Sequence, residues 1–180
     1  LDRGSVDFLL QRTRDAIGSI DSESEERLIS LILSKKKIFV YGSGRSGLVG
    51  QLFSVRLVQM GLDVHFVGDM TTPIIGRDDL TIIISNRGET VSGTQTAQIA
   101  RRLGSHVVTI TSRGGSKLAK ASDTVITLKI ADDEERHELA PLGTVFEDAV
   151  MLFFDAMVPS MMERLGVTEI DMRNRHAIWV

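Results

Sequence analysis

The sequence has no cysteine, which excludes disulfides and thiolate metal sites and removes any argument for an oxidising compartment. It has no strong excess of charge either. A net charge of −3 over 180 residues does not favour nucleic acid or an anionic membrane as partner. No uninterrupted apolar run is long enough to span a membrane. The longest apolar-rich stretch, TVFEDAVMLFFDAMVPSMMERL, carries Glu147, Asp148, Asp155 and Pro159, a pattern suited to a buried helix and not to a lipid-facing one. No signal peptide is visible, so a cytoplasmic protein is expected. No cluster of histidines and carboxylates has metal-ligand spacing, and no metal is expected. The chain opens on Leu1 and not on methionine, so the true N-terminus is expected to lie ahead of it. No internal repeat or low-complexity linker divides it, and its length fits one domain over 1–180 with a sizeable core.

What is present is a regular alternation of short apolar runs with helical segments. Residues 5–33 hold two helix-like segments that separate near Asp21–Ser22. Residues 1–34 carry seven acids and four bases, which would repel a phosphate backbone. Packing on the domain or on a partner subunit is therefore expected of residues 1–35, and DNA binding is not. From residue 37 the runs KIFVY (37–41), DVHFV (63–67), LTIIIS (80–85), HVVTI (106–110) and TVITL (124–128) read as strands. Helices are expected over 47–60, 91–103, 115–121 and 144–165. Strands that are apolar on both sides belong in a parallel sheet covered on both faces. The expected fold is therefore α/β, a three-layer αβα sandwich on a five-stranded parallel sheet. With right-handed crossovers, five strands suggest the flavodoxin-like order 2-1-3-4-5.

That order brings two polar loops to one crevice, the switch point outside the carboxyl ends of strands one and three. The first is GSGRSG, which satisfies the dinucleotide pattern G-x-G-x-x-G and offers Ser43, Gly44, Arg45 and Ser46. The second is SNRGET, with Ser85, Asn86, Arg87, Gly88, Glu89 and Thr90. Asp69 lies where a ribose-binding acid would stand, so a dinucleotide is one reading. It leaves the hydroxyls of the second loop unexplained. Backbone amides and hydroxyls at two helix starts would instead hold a small phosphorylated ligand.

Strand–GSGRSG–helix followed by strand–SNRGET–helix resembles the sugar isomerase (SIS) domain family and, within it, the 3-hexulose-6-phosphate isomerases. The likeness extends to DDL before the third strand, to PLGTVFEDAVMLFFDAMV, to LGVTEIDMRNRHA and to the overall length. It implies a cofactor-free interconversion of D-arabino-3-hexulose 6-phosphate and fructose 6-phosphate in a homodimer or homotetramer. It also implies that Ser46 and Ser85–Thr90 bind the sugar phosphate and that Glu147 is the catalytic base. The chain departs from the family's usual S-x-S-G-E-T loop at Asn86-Arg87, where Arg87 replaces a small hydroxyl with a guanidinium fork. Arabinose 5-phosphate isomerase and a non-catalytic phosphosugar sensor are the alternatives.

Moving a carbonyl from C3 to C2 through a cis-enediol needs one carboxylate able to take and return a proton. On residues alone, Glu147 also reads as the third position of a capping box opened by Thr144. The resemblance favours the base, and the two roles can coexist. For moving the hydroxyl protons, His176 is the candidate by family likeness, acting on a neighbouring subunit's site; a solvated tail histidine is the other possibility. His137 is a second candidate, while His65 and His106 look structural. Arg45 either orients the sugar or forms a salt bridge at the helix start. The helix 144–165 is apolar nearly all round, so the side turned from the sheet is expected to form an oligomer interface.

Overall fold

In the computed structural model, which describes residues 3–177, the five expected strands all form. The outermost parts of the single unit expected over 1–180, residues 1–2 and 178–180, lie outside the described residues. Strands β1 (Ile38–Gly42), β2 (Val64–Phe66), β3 (Leu80–Ile84), β4 (His106–Thr111) and β5 (Thr124–Thr127) pair in parallel in the order β2-β1-β3-β4-β5. Gly42 stands opposite Ile84, and Ile84 opposite Ile110. The carboxyl ends of β1, β3 and β4 are therefore level, and the loops that follow them emerge side by side.

The chain steps one way from β1 to β2 and the other way from β3 through β4 to β5. Right-handed crossovers then put α3 (Gly44–Gln59) on one face and α4 (Val91–Arg102) with the single turn α5 (Lys117–Lys120) on the other. Side chains alternate across each strand, so neighbours serve different cores. Ile82 and Val108 join the larger core, which holds α3 together with α1 (Arg3–Gly18), α2 (Ser22–Ser34), α7 (Thr144–Leu165) and α8 (Glu169–Asn174). Ile83 and Val107 pack on Ala97, Ala100 and Leu118 in a smaller core. Threonines on that side keep their hydroxyls satisfied, Thr81 with Ser105 at 2.9 Å and Thr109 with Ser122 at 2.6 Å.

Three differences from the sequence reading matter. Helix α3 begins at Gly44 and not at residue 47, so Arg45 and Ser46 belong to its first turn. The polar stretch after β5 is not a plain loop: Asp133 caps a short helix, α6 (Glu134–Leu139), by accepting from the Arg136 N–H. The third concerns α7. Its flank away from the sheet was expected to be bare, but α1 and α2 cover it, leaving Phe146, Phe153, Phe154, Met157 and Met161 buried. Phe154 stacks on Phe53 of α3 with ring centroids 3.8 Å apart. The exposed apolar stripe is on α3 instead, where Leu48, Leu52, Val55 and Val58 are 64%, 43%, 58% and 44% exposed at helical spacing. Among the described residues no helix is long and apolar enough to cross a membrane, and no group of three or more potential ligands is placed to hold a metal.

Candidate active site

The first loop is mostly a helix start. Gly42 ends β1, Ser43 is the N-cap without a side-chain capping bond, and Gly44 opens α3 at φ 57. The first amides of a helix have no intrahelical partner, so those of Gly44, Arg45 and Ser46 make an electropositive end suited to an anion. The outer glycines of the pattern serve packing. A Cβ on Gly42 would lie 2.8 Å from Gly47 N, and one on Gly47 would lie 2.5 Å from Gly42 O. They let α3 start directly against the β1 backbone. Asp69 is exposed and shares a depression with Gln51, Ser54 and Arg175, well past the first turn of α3. The dinucleotide pattern thus lacks its ribose acid at the helix start.

Glu147 does not close a capping box. Gly143 is the N-cap of α7, and the Thr144 hydroxyl donates to the Pro141 carbonyl at 2.7 Å. That places Glu147 one position deeper than the motif requires, and its carboxylate turns toward α3. There it is only 8% exposed, accepting from Arg45 Nε and, at 3.4 Å, from the Ser46 hydroxyl. Arg45 forms the salt bridge and remains at the mouth of the crevice, with a side chain 61% exposed. Its hydrogen bond to Glu147 holds the guanidinium more firmly protonated. Asp148 stands beside the pair. Burial pushes its carboxyl above the ordinary range, the Glu147 charge adds to the effect and Arg45 opposes it.

The second loop is tightly tied. The Ser85 hydroxyl accepts from the Gly88 N–H at 3.2 Å and lies 3.2 Å from the Thr90 hydroxyl. Asn86 is anchored by Ser112, whose hydroxyl reaches the Asn86 carbonyl at 2.8 Å and its side-chain oxygen at 2.7 Å. Gly88 takes φ 64, and a Cβ there would strike Ser116 Oγ at 2.1 Å. Glu89 faces α5, accepting from the Lys117 N–H at 3.3 Å and pairing with its ammonium at 3.3 Å, which holds the carboxyl below its usual range. Thr90 is the N-cap of α4. The two loops meet where Ser43 Oγ lies 3.3 Å from Tyr41 Oη and 3.5 Å from Ser92 Oγ. A Cβ on Gly143 would fall 3.0 Å from Glu147 Oε1 and 3.2 Å from Asn86 Nδ2, so base candidate and second loop flank the same glycine.

His176 is not brought to this crevice within the chain. It is exposed and shares a depression with Leu52, Val55, Arg56 and Gln59, along the later turns of α3. At 1.5 Å per residue, Val55 is roughly 15 Å along the axis from Arg45. His137 is exposed beside Asp132 and Arg136. His106 bonds Thr124 at 2.9 Å, with burial lowering its pKa, and His65 packs tilted against Phe39 with ring centroids 5.5 Å apart. Both are held by contacts with neighbouring strands of the sheet.

Sequence reasoning missed one wall of the site. A cavity of about 190 Å³ is lined by Asn86 and Arg87 together with Ser112, Arg113, Asp132, Arg136 and Leu142. These follow β4 and β5, and the rule that places ligands at strand carboxyl ends could have found them. Leu142 holds φ 60, a left-handed conformation uncommon for a bulky residue, and Arg136 bonds its carbonyl at 3.0 Å.

A parallel sheet in this order, with free helix-start amides and a hydroxyl loop converging on a buried carboxylate, defines a doubly wound α/β fold whose switch point is suited to an anion. The chain belongs to the SIS domain family, whose match spans residues 31–156. It is 41% identical to an uncharacterized protein of Archaeoglobus fulgidus, over 96% of this chain and 97% of the relative. It is 34% identical to the 3-hexulose-6-phosphate isomerase of Bacillus subtilis, over 94% of each. A solved structure from Methanococcus jannaschii, for which a 3-hexulose-6-phosphate isomerase function is inferred, superposes with a TM-score of 0.87 at 30% identity, over 97% of this chain and 98% of that one.

Proposed function

We propose that the protein is a phosphosugar isomerase that interconverts D-arabino-3-hexulose 6-phosphate and fructose 6-phosphate. The observation that carries this reading is the buried carboxylate of Glu147, held by Arg45 and Ser46 beside a loop of phosphate-binding character. Ser46 and the amides and hydroxyls of Ser85–Thr90 hold the phosphate. Glu147 removes the C2 proton of the 3-ketose, giving a cis-enediol between C2 and C3, and returns a proton to C3. The carbonyl moves within one molecule, so no external hydride acceptor is required. Arg45 fixes the carboxylate and supplies positive charge where the enediol oxygens become negative.

His176 joins this site from a partner subunit. The bare stripe of α3 is centred near Leu52, and a two-fold axis there lays α3 antiparallel on its copy. Each copy's His176 end then stands beside the other copy's Arg45 end, where the histidine moves protons between the enediol oxygens.

Purified protein given fructose 6-phosphate should produce the 3-ketose, identified by NMR. Glu147→Gln keeps size and polarity, so it should fold while turnover falls by about 10²- to 10⁴-fold, the usual worth of a general base. Near wild-type turnover in that variant overturns the role of Glu147. Binding of fructose 6-phosphate without turnover by the wild type would instead support a sensor.

A further inference from the structure

The cavity outside β3, β4 and β5 has a charge imbalance that a substrate with one phosphate leaves unused. Three guanidinium groups line it, from Arg87, Arg113 and Arg136, against one carboxylate, Asp132. Arg136 is committed: it bonds Asp132 at 2.7 and 3.2 Å and the Leu142 carbonyl at 3.0 Å, and its side chain is only 12% exposed. It is wall. The guanidinium groups of Arg87 and Arg113 make no hydrogen bond and no ion pair with any described residue. Both are exposed, Arg113 within electrostatic reach of Asp132 and Glu89, and each presents five N–H donors in a planar fork matched to phosphate or carboxylate.

The position of the cavity says which part of a ligand reaches it. Asn86 belongs to both sites. Its residue lines the cavity, while its side-chain nitrogen flanks Gly143 opposite Glu147. A sugar lying over Glu147, with its phosphate on the α3 start and the Ser85 and Thr90 hydroxyls, would extend its far end past Asn86 toward the Arg87 and Arg113 side chains. The volume of about 190 Å³ leaves room for one anionic group.

We infer that Arg87 and Arg113 form a second anion subsite, and that the preferred ligand is a phosphosugar with a second anionic group at the end opposite its phosphate. This rests on the phosphosugar reading above and adds sugar bisphosphates or phosphorylated sugar acids to the ligands that the same crevice takes.

Calorimetric titration tests it with three probes: fructose 6-phosphate, fructose 1,6-bisphosphate and 6-phosphogluconate. The wild type should bind at least one of the doubly anionic probes about 10- to 100-fold more tightly than fructose 6-phosphate, the worth of a charged hydrogen-bonding pair. Whichever is favoured identifies the second group as phosphate or carboxylate. Arg113→Gln should erase most of that preference while fructose 6-phosphate affinity stays within about threefold and the melting temperature is unchanged, and Arg87→Gln should erase the preference as well. Lys36→Gln, remote from the cavity and paired with Asp78, makes the same charge change and should keep the preference. The subsite is overturned if the wild type shows no preference or if both arginine variants retain it. Normal binding and turnover of fructose 6-phosphate in that case would leave the isomerase reading standing. Tight binding of a doubly anionic probe without binding of fructose 6-phosphate would sustain the subsite and overturn the proposed substrate. Binding of no probe overturns both.

Discussion

Ser46 and Gly47 are chain neighbours with opposite requirements, one needing its side chain and the other needing none. The Ser46 hydroxyl reaches Glu147, whereas any Cβ on Gly47 would stand 2.5 Å from the Gly42 carbonyl oxygen. Backbone blocks that position, so no rotamer change relieves the clash. Gly47→Ala should destabilise the fold by about 1–3 kcal/mol, the usual cost of overpacking, seen as a lower urea midpoint at an unchanged slope. A midpoint equal to wild type would show that α3 can draw back from β1 without cost. The residue types at GSGRSG and SNRGET were legible in the sequence because helix starts announce themselves through Gly, Ser and Thr. What each side chain touches was not. Arg45 and Glu147 are 102 positions apart, and no local pattern distinguishes their pairing from a capping box. Arg113, also missed, has no motif around it; only its place after β4 brings it to the cavity beside Asn86.

At the scale of elements, α7 shows which forces hold a helix that is apolar nearly all round. On one flank Phe154 stacks face to face on Phe53 of α3, both fully buried. On another, Arg164 of α7 clasps Glu26 of α2 through two bonds of 2.6 Å at the surface. Burial decides the difference. Phe154→Ala should cost about 3–5 kcal/mol through lost transfer energy and an unfilled cavity. Glu26→Gln should lower the urea midpoint at pH 7 measurably but far less than Phe154→Ala does, since exposed pairs are screened and hold two side chains in one geometry. The pair should show itself in acid. The Arg164 hydrogen bond lowers the Glu26 pKa from 4.5 to about 2, so its stabilisation is present above 4.5 and disappears as pH falls from there toward 2. The wild-type midpoint should therefore drop more than that of Glu26→Gln between pH 7 and pH 3. Equal drops would show that the pair does not act in solution. The strands were legible because burial on both faces makes them uniformly apolar and β-branched. Helices α6 and α8, six residues each, were not, because so short a segment has no apolar period to read.

For the molecule as a whole, the strand order followed from the alternation of elements and one handedness rule, but which apolar helix face stays bare did not. Hydrophobicity summed along the chain pointed to α7, whereas α1 and α2 fold back over it and leave the bare stripe on α3. Which helix is covered depends on contacts between residues far apart in sequence, such as Glu26 with Arg164. If α3 pairs antiparallel with its copy, each active site takes Glu147 from one subunit and His176 from the other, and that sharing has a numerical signature. Glu147→Gln alone and His176→Gln alone should each be nearly inactive. Unfolding the two variants together and refolding them as a mixture gives about half hybrid dimers, each with one doubly altered site and one intact site, so about a quarter of wild-type turnover should return. The recovery should vanish when both variants also carry Leu52→Glu, which buries a charge in the α3 contact, and light scattering should then report monomers. No recovery, with dimers present, would mean that His176 does not serve a partner's Glu147. Recovery that survives Leu52→Glu would move the shared interface away from α3.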